Sequence, residues 1–227
     1  MRMDDVLDEP VFQASRAPSA SDEAGVGGEP ALSEVEAADA ARTERRVWLR
    51  EQWESTGTDP RLGVFVVLCA LSGLWAILCT FMKGAFGFGA LAVVVGAPLV
   101  EEISKAMGPL MVLEKRPWLF GSASSIVLIG IASGLVFASV ENLLLYFFVY
   151  LPSSSLTPGL VLWRLTVCTL LHVTGATLSC FGLSRAWRHA AQVKGTFEMS
   201  SAVPWMVAAM IVHGLYNAAA LVYGILT

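Results

Sequence analysis

Glu101 and Glu102 stand side by side in Ala97-Pro-Leu-Val-Glu-Glu-Ile-Ser-Lys105, and from Phe86 to Leu113 the only other charged residue is Lys105. An ionisable side chain at the centre of a bilayer costs roughly 2.5–3.5 kcal/mol on insertion scales, so three in one apolar run imply chemistry. On a helix Lys105 falls one turn beyond both glutamates, i+4 from Glu101 and i+3 from Glu102, where its ammonium can neutralise one of them. The other carboxylate then needs a partner, water or a proton. Further along, Glu141 and Asn142 close Phe137-Ala-Ser-Val-Glu-Asn, and His172 sits in Leu170-Leu-His-Val-Thr. His213 and Asn217, in His213-Gly-Leu-Tyr-Asn217, share one helix face at i, i+4. With neutral imidazoles, three carboxylates and one ammonium sum to −2. Such a set must bind protons or a cation, or take up water. That is the equipment of acid–base catalysis or of ion movement.

The elements that must position these groups are membrane helices. The chain has 227 residues, 55% of them hydrophobic and 15% charged, with a mean hydropathy of +0.62. A soluble domain carries about 25% charged residues, and most of the charge here lies in the first 60 positions. Five apolar segments follow, at about Leu62–Met82, Phe86–Leu113, Leu119–Leu151, Leu160–Trp187 and Val203–Leu226. Each exceeds the ~20 residues that a helix needs to cross the hydrocarbon. The third lacks a polar hinge and stays one helix. The fold expected is an all-α polytopic membrane protein, a bundle of about five transmembrane helices occupying residues 61–227.

Basic residues orient it. With the N-terminus in the cytoplasm, Arg61, Lys115, Arg116, Arg185, Arg188 and Lys194 lie inside, leaving Lys83, and Arg164 at a helix mouth, outside. The expectation is a multi-pass protein of the inner or plasma membrane, N-terminus in and C-terminus out. Gly130 and Gly134 form a GxxxG pair continued by Ala138, and Gly175, Ala176, Ser179 and Gly182 make a second small-residue stripe, for close helix packing. Glu141 falls in the same narrow arc as Gly130, Gly134 and Phe137. Pro98, one turn before Glu101, removes a backbone hydrogen bond and can open the helix toward water or a substrate carbonyl.

Ahead of the bundle, residues 1–32 are acidic and rich in breakers, too poor in apolar surface to offset chain entropy, and read as a disordered tail. Residues 33–60 read as a juxtamembrane helix opened by the capping box Ser33-Glu-Val-Glu36. Its arginines Arg42, Arg45, Arg46 and Arg50, with Trp48 and Trp53, suit either an anionic membrane surface or a solvated face. No secretory signal is legible. Cys69, Cys79, Cys168 and Cys180 have neither metal-ligand nor disulfide spacing and read as small hydrophobes.

In order and spacing, Glu101-Glu102-Ile-Ser-Lys105, Phe137-Ala-Ser-Val-Glu141-Asn142, His172 and His213-Gly-Leu-Tyr-Asn217 resemble the PrsW family of intramembrane proteases. That family is related to the CAAX-processing and bacteriocin-immunity (CPBP) glutamic proteases. The likeness covers about Gly84 to Val222. Where the CAAX branch carries E-E-x-x-x-R and F-x-x-x-H, this chain has Lys105 and Glu141, so sites do not transfer directly from that branch. The resemblance implies hydrolysis of peptide bonds in membrane-protein substrates, such as a bacterial anti-sigma factor, in contact with the lipid bilayer and with no nucleic acid.

Peptide hydrolysis needs a base to deprotonate water, donors for the oxyanion and an acid for the leaving amine. Glu101 is assigned as base and then acid, with Glu102 the close alternative. Lys105 balances charge, His172 and Glu141 orient the water, and His213 and Asn217 donate to the oxyanion; Asn142 and Phe137 support. No cofactor is expected. Zinc is the lesser alternative: two histidines and a glutamate suit it, but H-E-x-x-H is absent and Lys105 would repel the ion. Ser104 has no positioned base and is set aside as a nucleophile. A proton- or ion-coupled transporter and a non-catalytic helix-binding scaffold are the competing functions. Against the first, no internal repeat is visible.

Overall fold

The computed structural model describes residues 29–83, 89–153 and 156–224; its regular structure among them is all helical, with no strand. The chain divides into a unit ending at Glu44 and a larger one from Arg45 to Thr227. Helix α1 spans Glu29–Ser55, beginning ahead of the start expected at Ser33. The tail expected to be disordered lies almost wholly outside the described residues. In the first unit Arg42 pairs with Asp39 at 3.1 Å on an exposed face.

The larger unit is built on five long helices. Helix α2 is Thr58–Lys83, and α3 is Ala97–Lys115, led into by a wide π turn at Ala92–Gly96. Helix α4 is Ala123–Leu145, continuing without a break to Ser153, α5 is Pro158–Val193 and α6 is Val203–Val222. Ser122 caps α4 by accepting the Ser125 N–H at 3.1 Å, and Thr157 caps α5 through Leu160 N–H at 3.2 Å.

Among the described residues four helices, α2, α4, α5 and α6, are long and apolar enough to cross a membrane. Five crossings were expected. The remaining segment, α3, is the one that carries Glu101, Glu102 and Lys105, and its charge keeps it out of that class. It is not exposed to lipid on its charged face, however. The three side chains point inward among α4, α5 and α6.

Polarity runs inside out relative to a soluble bundle. Leu62, Val66, Leu71, Leu74, Trp75, Leu78 and Phe81 cover the outside of α2, while Glu102, Lys105, Ser133, Ser179 and Ser184 are sealed within. Lipid offers no hydrogen bonds, so polar groups turn to one another and apolar ones face outward. Helix α4 lies closely along α5. A Cβ added at Gly134 would stand 2.6 Å from Val173 Cα, so the small-residue stripe is what lets the two backbones meet.

At the end of the bundle where α3 finishes, aromatic residues form a packed floor. Leu49 and Trp53, one turn apart on α1, are buried there with Leu113, Trp118, Leu183 and Trp187. Trp53 meets Trp187 at 5.8 Å between ring centroids, and Trp48 stands edge-on to Trp118 at 5.3 Å. Arg61 donates to the carbonyls of Trp118 and Trp53, at 3.1 and 3.2 Å. The two readings offered for this helix, membrane surface or solvated face, therefore both miss Trp53: the Leu49/Trp53 stripe faces protein.

Candidate active site

The polar residues singled out in four separate segments meet in one buried cluster. Lys105 and Glu102, one helical turn apart on α3, form an ion pair of 2.8 Å between Nζ and Oε1, both side chains fully buried. The same Glu102 oxygen lies 2.9 Å from His213 Nδ1 on α6. Lys105 Nζ also reaches His172 Nδ1 on α5 at 2.9 Å and lies 4.1 Å from the centre of the Phe137 ring on α4. Phe137 in turn packs against His172, centroids 4.8 Å apart.

These contacts settle one tautomer. An ammonium only donates, so His172 Nδ1 accepts, and its Nε2–H donates to Glu141 Oε2 at 3.1 Å. Glu141 is held from the other side by a residue placed at a helix mouth on sequence grounds. Arg164 Nη2 donates to Glu141 Oε2 at 2.7 Å, and Arg164 Nε donates to Asn142 Oδ1 at 2.9 Å. The charge of the set is therefore −1, three carboxylates against two cations, and not the −2 expected without Arg164. A continuous chain of polar contacts runs Arg164, Glu141, His172, Lys105, Glu102, His213.

Glu101 ends that chain. Its Oε2 lies 3.8 Å from His213 Nε2, while the rings of His172 and His213 stand edge to face at 5.1 Å. Glu101 is 5% exposed and His213 3%. Glu102 is pinned. One oxygen is shared by Lys105 and His213, and the other has no hydrogen-bond partner among the described residues and lies against Gly175. A Cβ at Gly175 would come within 2.6 Å of that oxygen, so this glycine, read from sequence as a packing residue, makes room for a carboxylate.

Asn217 does something the sequence did not suggest. In the π turn ahead of α3, Ala97 N–H bonds back five residues to Ala92. The next donor in that register would be Pro98, which has none. The carbonyl so released, Val93 O, instead accepts from Asn217 Nδ2 at 2.9 Å. Pro98 thus does remove a backbone bond, and an amide from α6 fills the vacancy.

Arg164, Gly175 and the Asn217–Val93 bond were the features missed. Charge in an apolar run was a usable signal for Arg164. Gly175 and the Asn217–Val93 bond had none.

Fold and site together define a class: a multi-pass membrane protein whose acid–base groups face one another at the centre of the bundle. The family described as PrsW family intramembrane metalloprotease matches residues 61–227, and the chain belongs to it. It is an intramembrane protease, a hydrolase working on membrane-protein substrates in a lipid environment. Membership decides for a hydrolase over a transporter or an idle scaffold. Neither a curated protein nor a solved structure matches the chain.

The family description implies a metal, and the residues can be tested against one. Glu101, His172 and His213 offer donor atoms that all lie within 4.8 Å of one another, two nitrogens and an oxygen of the type zinc takes in hydrolases. In type they fit, and those three would hold the ion. Bound there, it would supply an acidified water. Against such loading stands Lys105, whose ammonium lies 2.9 Å from His172 Nδ1 while His172 Nε2 is engaged by Glu141. For His172 to become a ligand, one of those two bonds must be given up.

Proposed function

We propose that this protease cleaves its substrates with a water activated by Glu101, with no covalent intermediate and no cofactor. The observation that carries the reading is that the His213 ring lies between the two adjacent glutamates, one at each ring nitrogen. Glu102 already holds an ammonium and an imidazole on one oxygen. Glu101 faces His213 Nε2 at 3.8 Å, too long for a hydrogen bond and short enough for one water to reach both.

In this reading Glu101 takes a proton from that water as its oxygen attacks the scissile carbonyl. One added proton neutralises the cluster. Carried on His213 Nε2, it gives the N–H that the tetrahedral oxyanion accepts, while Glu102 holds the same ring through Nδ1. Glu101 then returns its proton to the leaving nitrogen, the C–N bond breaks, and a carboxyl and an amine result. His172 and Glu141, given the water on sequence grounds, form the opposite wall; both nitrogens of His172 are taken by Lys105 and Glu141, so the pair acts by fixing Lys105, which holds both walls at once. Asn217, assigned to the oxyanion on sequence grounds, we now place chiefly as the residue that shapes the turn leading into α3.

We further propose that α3 is the fifth crossing, with the N-terminus cytoplasmic and the C-terminus outside, on the distribution of Arg61, Lys115, Arg116, Arg185, Arg188 and Lys194. The family resemblance supports a membrane-tethered anti-sigma factor as the substrate. The testing experiment compares membrane-protein fragments from cells carrying the wild-type chain, Glu101→Gln or Glu102→Gln, with binding of a co-reconstituted substrate helix followed separately. Glu101→Gln is expected to reduce cleavage to background while binding persists. Wild-type cleavage by Glu101→Gln would remove the base from this account.

A further inference from the structure

A cavity of about 470 Å3 lies far along α5 from the acid–base cluster. Arg185, Arg188 and His189 line it from the last turns of α5, with Ser200 and Ser201 opposite, in the turn that leads into α6, and Glu198 on the same side. Arg185 and Arg188 are three residues apart and therefore share a helix face. Both are exposed, and among the described residues neither has an ion pair or a hydrogen bond. Two guanidiniums against one carboxylate leave the lining with an excess of positive charge.

The position of the cavity narrows what would answer that charge. It opens where the apolar run of α5 ends, at the aromatic floor formed by Trp53, Trp118 and Trp187. Arg185 and Arg188 follow directly on the apolar run of α5, and charge resumes on a membrane helix where hydrocarbon gives way to lipid headgroups, so this is the level at which headgroups lie. Guanidiniums match phosphate oxygens in a two-pronged geometry, and the serine hydroxyls add neutral donors. Basic pockets between membrane helices are suited to anionic headgroups.

We propose that this cavity binds the phosphate headgroup of an anionic phospholipid, with Arg185 and Arg188 as its anchors and Ser200 and Ser201 completing the cradle. The lipid would clamp the end of α5 to the start of α6. Those two helices carry His172 and His213, so an occupied site steadies the pair that faces Glu101.

The test uses the full chain purified in a neutral detergent and read by native mass spectrometry. It is titrated with phosphatidylglycerol, with phosphatidylcholine of the same acyl chains, or with inorganic phosphate. Phosphatidylglycerol should saturate one site and bind at least tenfold more tightly than phosphatidylcholine. Inorganic phosphate should not displace it. At about 1 kcal/mol per basic residue beside an anionic surface, Arg185→Gln/Arg188→Gln should weaken phosphatidylglycerol roughly thirtyfold, and Arg185→Lys/Arg188→Lys, which keeps the charge but not the two-pronged geometry, should fall between that variant and the wild type. Ser200→Asp, which adds negative charge to the cradle without touching the arginines, should weaken it too and covers the case of a misfolded double variant. Equal binding of the two lipids, or phosphatidylglycerol binding untouched by the charge-removing variants, overturns the site. Saturation by inorganic phosphate as tight as by phosphatidylglycerol overturns the lipid assignment.

Discussion

Replacing Gly175 by alanine measures how tightly the site is built. The new Cβ would fall 2.6 Å from Glu102 Oε2 and 2.9 Å from its carboxyl carbon. Reaching an ordinary contact of ~3.4 Å requires the carboxylate to retreat by about 0.8 Å. Its other oxygen is tied to Lys105 at 2.8 Å and to His213 at 2.9 Å, all three groups being buried. Taken along the Lys105 bond, a retreat of that size stretches it from 2.8 Å to about 3.6 Å, which is no longer a hydrogen bond. Losing one bond to a charged group costs about 1.5–3 kcal/mol. In a unit of this size, that is a fall in melting temperature of roughly 3–12 °C. Cleavage should suffer more, since a misplacement near 1 Å in catalytic geometry can cost about 10²-fold in rate. Melting is followed by intrinsic fluorescence in detergent, and cleavage with a reporter helix co-reconstituted in vesicles. Gly63→Ala is the control, because nothing lies within 4 Å of a Cβ there. A Gly175→Ala protein that melts and cleaves like the wild type would refute the claim that Glu102 is immobile.

Lys105→Met leaves Glu102 without its cation in a fully buried site, a loss of about 3–5 kcal/mol where such pairs have been broken; the double variant Glu102→Gln/Lys105→Met should recover much of it, and equal melting of the single and double variants would deny the pair. Arg164→Gln removes the cation that holds Glu141 against His172 and should slow cleavage while leaving substrate binding near wild type; Arg164→Lys should rescue part of the rate, and absence of any effect would confine Arg164 to the helix mouth. On the metal, purified protein should hold well under one equivalent of zinc and keep its activity in chelator; stoichiometric zinc whose removal abolishes cleavage would make Glu101, His172 and His213 ligands. For topology, a cysteine introduced at Thr157 should be labelled from outside intact cells and one at Gln192 only after permeabilisation, and the reverse pattern would invert the proposed orientation.

What the sequence determined by itself follows from the cost of charge in hydrocarbon. Glu101, Glu102, Lys105, Glu141, His172 and His213 were legible because each breaks an apolar run, and a membrane tolerates that only where the groups meet. The choice of Lys105 for a glutamate was legible too, since i+3 and i+4 spacings are fixed by the helix and need no tertiary information; the structure takes the i+3 partner, Glu102. Tertiary structure decided the rest, where the meaning of a residue depends on what another helix brings to it. Arg164 stands near the end of its segment, where arginines commonly reach for the interface, and only the approach of α4 turns it onto Glu141. Gly175 has the same spacing signature as the glycines that join helices; what it faces is the Glu102 carboxylate. Asn217 follows from a backbone irregularity: the π register at Ala92–Gly96 and the missing N–H of Pro98 release a carbonyl that its side chain then satisfies. Helix spacing is a property of one segment, whereas an unfilled hydrogen bond or an absent Cβ acquires its role only from the neighbour packed against it.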